Sequence, residues 1–67
     1  MIQLRKTLRL NQKALKGALN DRMELLGFLE AHAAHAKENG ADPEYIRETE
    51  AAEQRVRLGA NYKDLMT

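Results

Sequence analysis

Asn39-Gly40-Ala41-Asp42-Pro43 is the stretch on which the fold turns. Glycine adopts the left-handed backbone that closes a helix without steric cost, so Gly40 marks a stop. Asp42 can accept hydrogen bonds from the free amides of a following helix. Pro43 suits the first helical position, where its missing N–H would have no partner anyway. Glu44 then adds negative charge at the positive end of the new helix dipole. One helix therefore ends near Asn39 and another begins at Asp42. A connection as short as 40–43 makes the two antiparallel neighbours.

Upstream of the turn, Leu4, Leu8, Asn11, Leu15, Ala18, Arg22, Leu25, Leu29, His32 and Ala36 recur in alternating steps of three and four. That is the period of a coiled-coil seam, with Asn11, Arg22 and His32 as polar interruptions. Leu19, Leu26 and Ala33 widen the stripe, and Phe28 extends it further round. Gly17 costs about 1 kcal/mol relative to alanine inside a helix, and Asn20-Asp21 just after it offers a cap for a fresh start. The simpler expectation is one gently curved helix, with its core over 15–39.

Downstream, a more polar helix is expected over 42–66. Its best stripe is Tyr45, Thr49, Ala52, Val56, Gly59 and Met66, interrupted by Lys63. Its small residues would lie close against Ala31, Ala33, Ala34 and Ala36. Running back from the turn, it would reach only to about residue 15 at 1.5 Å per residue, leaving 1–14 as a basic overhang. The first ten residues read two ways. As helix, Leu4 and Leu8 continue the seam. As strand, Ile2, Leu4, Leu8 and Leu10 share one face and Gln3, Arg5, Thr7 and Arg9 the other.

A chain of 67 residues makes one domain and buries only about 60% of its unfolded surface. It has no cysteine, no tryptophan and one phenylalanine, so neither disulfides nor aromatic bulk can supplement the core. The remaining common remedy is association. The expected fold is all-α: an antiparallel helical hairpin that forms a homodimer, a four-helix bundle cored by Leu15, Leu19, Leu25, Leu26, Phe28 and Leu29.

Catalytic chemistry has little to build on. Serine and cysteine are both absent, which removes the usual nucleophiles. The four glycines lie too far apart for a phosphate loop. Glu50 and Glu53 fit solvated ion-pair partners of Arg47 or Arg57 better than acid–base machinery. His32, His35 and Glu38 fall in a line, but three ligands from one helix rarely close a metal site, and the zincin spacing is lacking. The expectation is a non-enzyme with no catalytic residue, cofactor, metal or small-molecule substrate. His32, at the expected dimer seam, would titrate near neutrality. No apolar run approaches the 18 residues of a membrane span, and the basic N-terminus lacks a secretory apolar core, so a cytoplasmic protein is expected.

Charge is unevenly placed. Residues 1–20 carry Arg5, Lys6, Arg9, Lys13 and Lys16 and no acid, while residues 21–67 carry all ten acids and six bases. Such asymmetry points to an anionic partner or to complementation within a dimer. In the strand reading, the Gln3, Arg5, Thr7 and Arg9 face resembles the major-groove ribbon of ribbon-helix-helix repressors. The resemblance covers residues 1–27 and stops where no Ser or Thr follows Gly27 to open their second helix. A paired hairpin is also similar in outline to Rop-type four-helix dimers that bind RNA. On the second helix, Arg47, Leu58, Tyr62 and Leu65 cannot all face the first, and together they suggest a protein-binding surface. The leading expectation is a small regulatory or adaptor protein that modulates a larger protein partner, with the size and economy of phage- or plasmid-type inhibitors. The alternative is a nucleic-acid-binding regulator using Arg5, Lys6, Arg9, Lys13 and Lys16.

Overall fold

A computed structural model describes residues 3–67 of the chain. The element order is α1 (Leu4–Ala14), a single 3-10 turn (Ala18–Asn20), α2 (Arg22–Glu38), α3 (Pro43–Arg57) and α4 (Tyr62–Met66). The described residues contain no strand. Nor do they contain a helix long and apolar enough to cross a membrane.

The turn after α2 forms as its residues dictate. Gly40 is left-handed at φ 66°. The Gly40 N–H donates to Lys37 C=O at 3.2 Å and the Ala41 N–H to Ala36 C=O at 2.9 Å, which satisfies two carbonyls at the end of α2. The Asp42 carboxylate accepts from the Glu44 N–H at 2.8 Å and so caps α3. The end of α2 then meets the middle of α3, and the end of α3 meets the middle of α2. Lys37 Nζ lies 2.7 Å from Glu50, and Arg57 lies 3.6 Å from Glu30. These exposed pairs record the alignment more than they stabilise it.

Elsewhere the chain breaks where continuous helices were expected. The long first helix is two, because the backbone at Lys16 and Gly17 is left-handed, at φ 53° and 84°. The Lys16 N–H donates to Lys13 C=O and the Gly17 N–H to Gln12 C=O, the same two-bond closure that ends α2. The Gln12 side chain accepts from the Leu19 N–H at 2.9 Å and holds the 3-10 turn in place. Asp21 restarts the helix, accepting from the Met23 and Glu24 amides. The expected helix over 42–66 is likewise interrupted. Gly59, at φ 120°, ends α3, and a capping box between Asn61 and Asp64 opens α4.

Because of the two breaks the described part of the expected overhang, residues 3–14, folds back and packs through Leu4 and Leu8. The core is formed by Leu4, Leu8, Leu19, Leu25, Leu29, Ala52, Val56 and Leu65. It draws on α1, the 3-10 turn, α2, α3 and α4. Leu26, Phe28, Tyr45, Tyr62 and Met66 pack half-buried around it. A straight helix over 42–66 would run about 37 Å at 1.5 Å per residue. The longest dimension of the molecule is 28 Å. Its radius of gyration of 11.0 Å matches the ~11 Å expected of a fully collapsed chain of this length. Leu19, Leu25 and Leu29, assigned above to a dimer core, are therefore buried within the single chain, at 1%, 0% and 0% exposure. Leu15 left the stripe, because it caps α1 and is exposed.

Candidate functional site

Helix α1 divides its side chains between a seat and an outward face. Leu4 and Leu8 are buried, one turn apart, while Thr7 and Asn11 flank them half-buried. Leu4, Leu8 and Leu65 border a crevice of about 200 Å³ against Ala51 and Ala52 of α3. Small side chains there let the helix approach closely. Leu4 and Leu8 are buried while Leu10, which would share their face in a strand, is exposed, as the helix over Leu4–Ala14 requires. The ribbon face of Gln3, Arg5, Thr7 and Arg9 accordingly does not form. Thr7 turns inward, whereas Arg5 and Arg9 point to solvent. Ile2 of that reading lies outside the described residues.

A chain of polar groups fixes the seat. The Thr7 hydroxyl lies 2.9 Å from Tyr45 Oη, and Tyr45 Oη lies 2.6 Å from His32 Nε2. One residue comes from each of α1, α3 and α2. Either sense of donation along the chain leaves all three groups paired, because hydroxyls and neutral imidazole both donate and accept. Phe28 stacks on the His32 ring at 5.5 Å, and Tyr45 meets the ring edge-on at 5.6 Å. Burial, with the neighbouring His35 as a smaller influence, lowers the pKa of His32 below the ordinary 6.5. Beside the chain lies an open, mostly apolar groove of about 480 Å³, bordered by His32, His35, Ala36, Asn39, Asp42 and Tyr45. His35 bonds to the Asn39 amide rather than turning toward His32. Among the described residues no three His, Asp or Glu side chains are grouped to hold a metal ion.

The outward face carries Arg5, Lys6, Arg9 and Lys13, and Lys16 follows in the break just after α1. Arg5, Lys6, Arg9, Lys13 and Lys16 are all exposed, and none forms an ion pair among the described residues. Arg5 is tied only through a 3.1 Å bond from Nη2 to Thr67 C=O. Leu10 stands among them at 61% exposure. At about 100° per residue, Arg5, Lys6, Arg9 and Lys13 fall within about 100° of arc, so one surface can meet all four.

The other surface expected from the sequence is dispersed. Leu65 is buried at 5% and Tyr62 is half-buried against the core, while Leu58 is 88% exposed and Arg47 is exposed. Gly59 ends α3 just after Leu58, so Tyr62 and Leu65 do not continue its helical face. Sequence reading missed the bracing roles of Thr7, Tyr45 and Gln12. The one available signal was Tyr45 on the apolar stripe, since a tyrosine hydroxyl carried inward needs a partner.

No protein-family model, curated protein or solved structure matches the chain. Its function has to be argued from the chemistry of its own surfaces.

Proposed function

We propose that this protein is a small, non-enzymatic, cytoplasmic regulator that binds nucleic acid through the outward face of α1. The observation that carries the reading is the set Arg5, Lys6, Arg9 and Lys13 on α1, with Lys16 two residues beyond its end. All five are exposed, none is neutralised by an ion pair among the described residues, and no acid occurs in residues 1–20. Five cations on so short a segment repel one another, and a polyanion relieves that cost while releasing its own counterions. Seating α1 on the core through Leu4 and Leu8 presents the cations on a fixed helix, which lowers the entropy lost on binding.

Fluorescence anisotropy with labelled nucleic acid at low salt tests the proposal. The protein should bind, and the double variant Arg9→Ala, Lys13→Ala should lose most of the affinity while keeping its helical circular dichroism. Undiminished affinity in that variant would remove α1 as the site.

A second reading, a regulator that docks on a larger protein, is favoured by Leu58 at 88% exposure, capping the helix that carries exposed Arg47. Pairing of two copies into a four-helix bundle would now depend on Leu10, Leu15, Met23 and Leu58, the exposed large apolar side chains. Sedimentation equilibrium distinguishes a dimer from a monomer directly.

A further inference from the structure

Which form of nucleic acid α1 suits can be taken further, on the premise that α1 is the binding surface. Proteins that hold single strands without strong sequence preference combine a basic groove with aromatic side chains on which bases stack. This chain has three aromatic residues, Phe28, Tyr45 and Tyr62. All three pack half-buried against the core, and none belongs to α1. The basic face therefore offers no stacking platform. Direct reading of bases in a groove relies on bidentate side chains, with asparagine and glutamine serving adenine and arginine serving guanine. The two amide side chains within α1 are already occupied. Asn11 Nδ2 donates to Thr7 C=O at 2.8 Å. Gln12 accepts from the Leu19 N–H and donates to Asn20 Oδ1, both at 2.9 Å. Freeing Gln12 would undo the 3-10 turn that buries Leu19. Of the two arginines, Arg5 is tied to the Thr67 C=O.

What remains is a row of charges. Arg5, Arg9 and Lys13 succeed one another every four residues, about 6 Å apart along the helix axis, with Lys6 beside them. We infer that α1 holds double-stranded nucleic acid by its phosphate backbone and does not read its base sequence. A duplex presents one charge per ~1.7 Å of axis, a denser field than a single strand, and neutralising it releases more counterions per contact.

The experiment measures affinity for two duplexes of unrelated sequence and for each of their single strands, across a salt series. The two duplexes should bind within a few-fold of one another and each single strand more weakly. With about four phosphate contacts, log affinity should fall with log salt at a slope near −3.6. That is roughly a hundredfold loss over a fourfold rise in salt. A single strand bound as tightly as its duplex overturns the inference. So does a tenfold preference for one duplex sequence. Either result leaves α1 as a nucleic-acid surface, provided Arg9→Ala, Lys13→Ala still loses most of the affinity. Failure of every nucleic acid to bind at low salt has a different signature, and it removes the underlying reading together with this one.

Discussion

Replacing Tyr45 by phenylalanine removes one oxygen from the point where α1, α2 and α3 meet. Its loss breaks two hydrogen bonds at once, at 2.9 Å to Thr7 and 2.6 Å to His32. Each such bond contributes about 0.5–1.5 kcal/mol net. Thr7 and His32 are only half-buried, so water recovers part of the loss, and the expected cost is about 1–2 kcal/mol. At about 0.05–0.15 kcal/mol per residue, a chain this size has only some 3–10 kcal/mol of stability in all. For so small a domain, 1 kcal/mol moves the melting temperature by about 4–8 °C, so Tyr45→Phe should lower it by about 4–16 °C. Thermal unfolding followed by helical circular dichroism measures this. Thr7→Val supplies the check on mechanism. In the native background it should cost about 1 kcal/mol, but in the Tyr45→Phe background much less, because its partner has already gone. If the two substitutions add in full, or if Tyr45→Phe leaves the melting temperature unmoved, the polar chain does not hold α1 in place.

Two further outcomes follow from the same geometry. The pKa of His32 is lowered by burial, with His35 adding to it. Above the unfolded value of 6.5 both states are neutral and the stability is fully present. As pH falls through 6.5 the unfolded chain takes up the proton first, and stability is lost until the folded-state pKa is passed. Stability should therefore decline on acidification below neutrality. The decline should shrink in His32→Gln and persist in His35→Gln, with the histidine ring resonances titrated by NMR as the direct check. Lys16 occupies a left-handed conformation at φ 53° that suits glycine better. Lys16→Gly should raise the unfolding midpoint in denaturant by the equivalent of about 0.5–1 kcal/mol, and a lower midpoint would show that the break tolerates lysine without strain.

The sequence announced the α2–α3 turn in full, because every local preference from Asn39 to Glu44 favours the same conformation. It also placed Thr49, Ala52 and Val56 on the buried stripe of α3. The break at Lys16 and Gly17 was only half legible. Gly17 and Asp21 were visible as weak signals, but the three- and four-residue period runs unbroken through Leu15, Ala18 and Arg22, and it favours continuity. What decided against continuity is tertiary. Folding α1 back buries Leu4, Leu8 and Leu19, and at about 25 cal/mol per Å² that outweighs one strained lysine. The same blindness hid the polar chain, since Thr7, His32 and Tyr45 are far apart in sequence and share no pattern. Among the site residues, the exposed cations were legible from charge alone. Leu65 was not, because its burial depends on Gly59 and Asn61 ending one helix and starting the next.

The break also explains how a basic segment comes to be rigid. A straight extension of α2 would leave the cations on a helix with little to lean on, and isolated helices shorter than about 12–15 residues are marginal in water. At 11 residues, α1 falls within that range. It therefore depends on Leu4, Leu8 and the Thr7 hydroxyl for its persistence, and so does the alignment of Arg5, Arg9 and Lys13 along its other side. Stability of the seat and presentation of the charges are thus two consequences of one packing decision. A substitution that loosens the seat, such as Tyr45→Phe, touches no cation. Even so, on the proposal that α1 binds nucleic acid, it should weaken that binding in the same anisotropy titration, because a prearranged helix is lost.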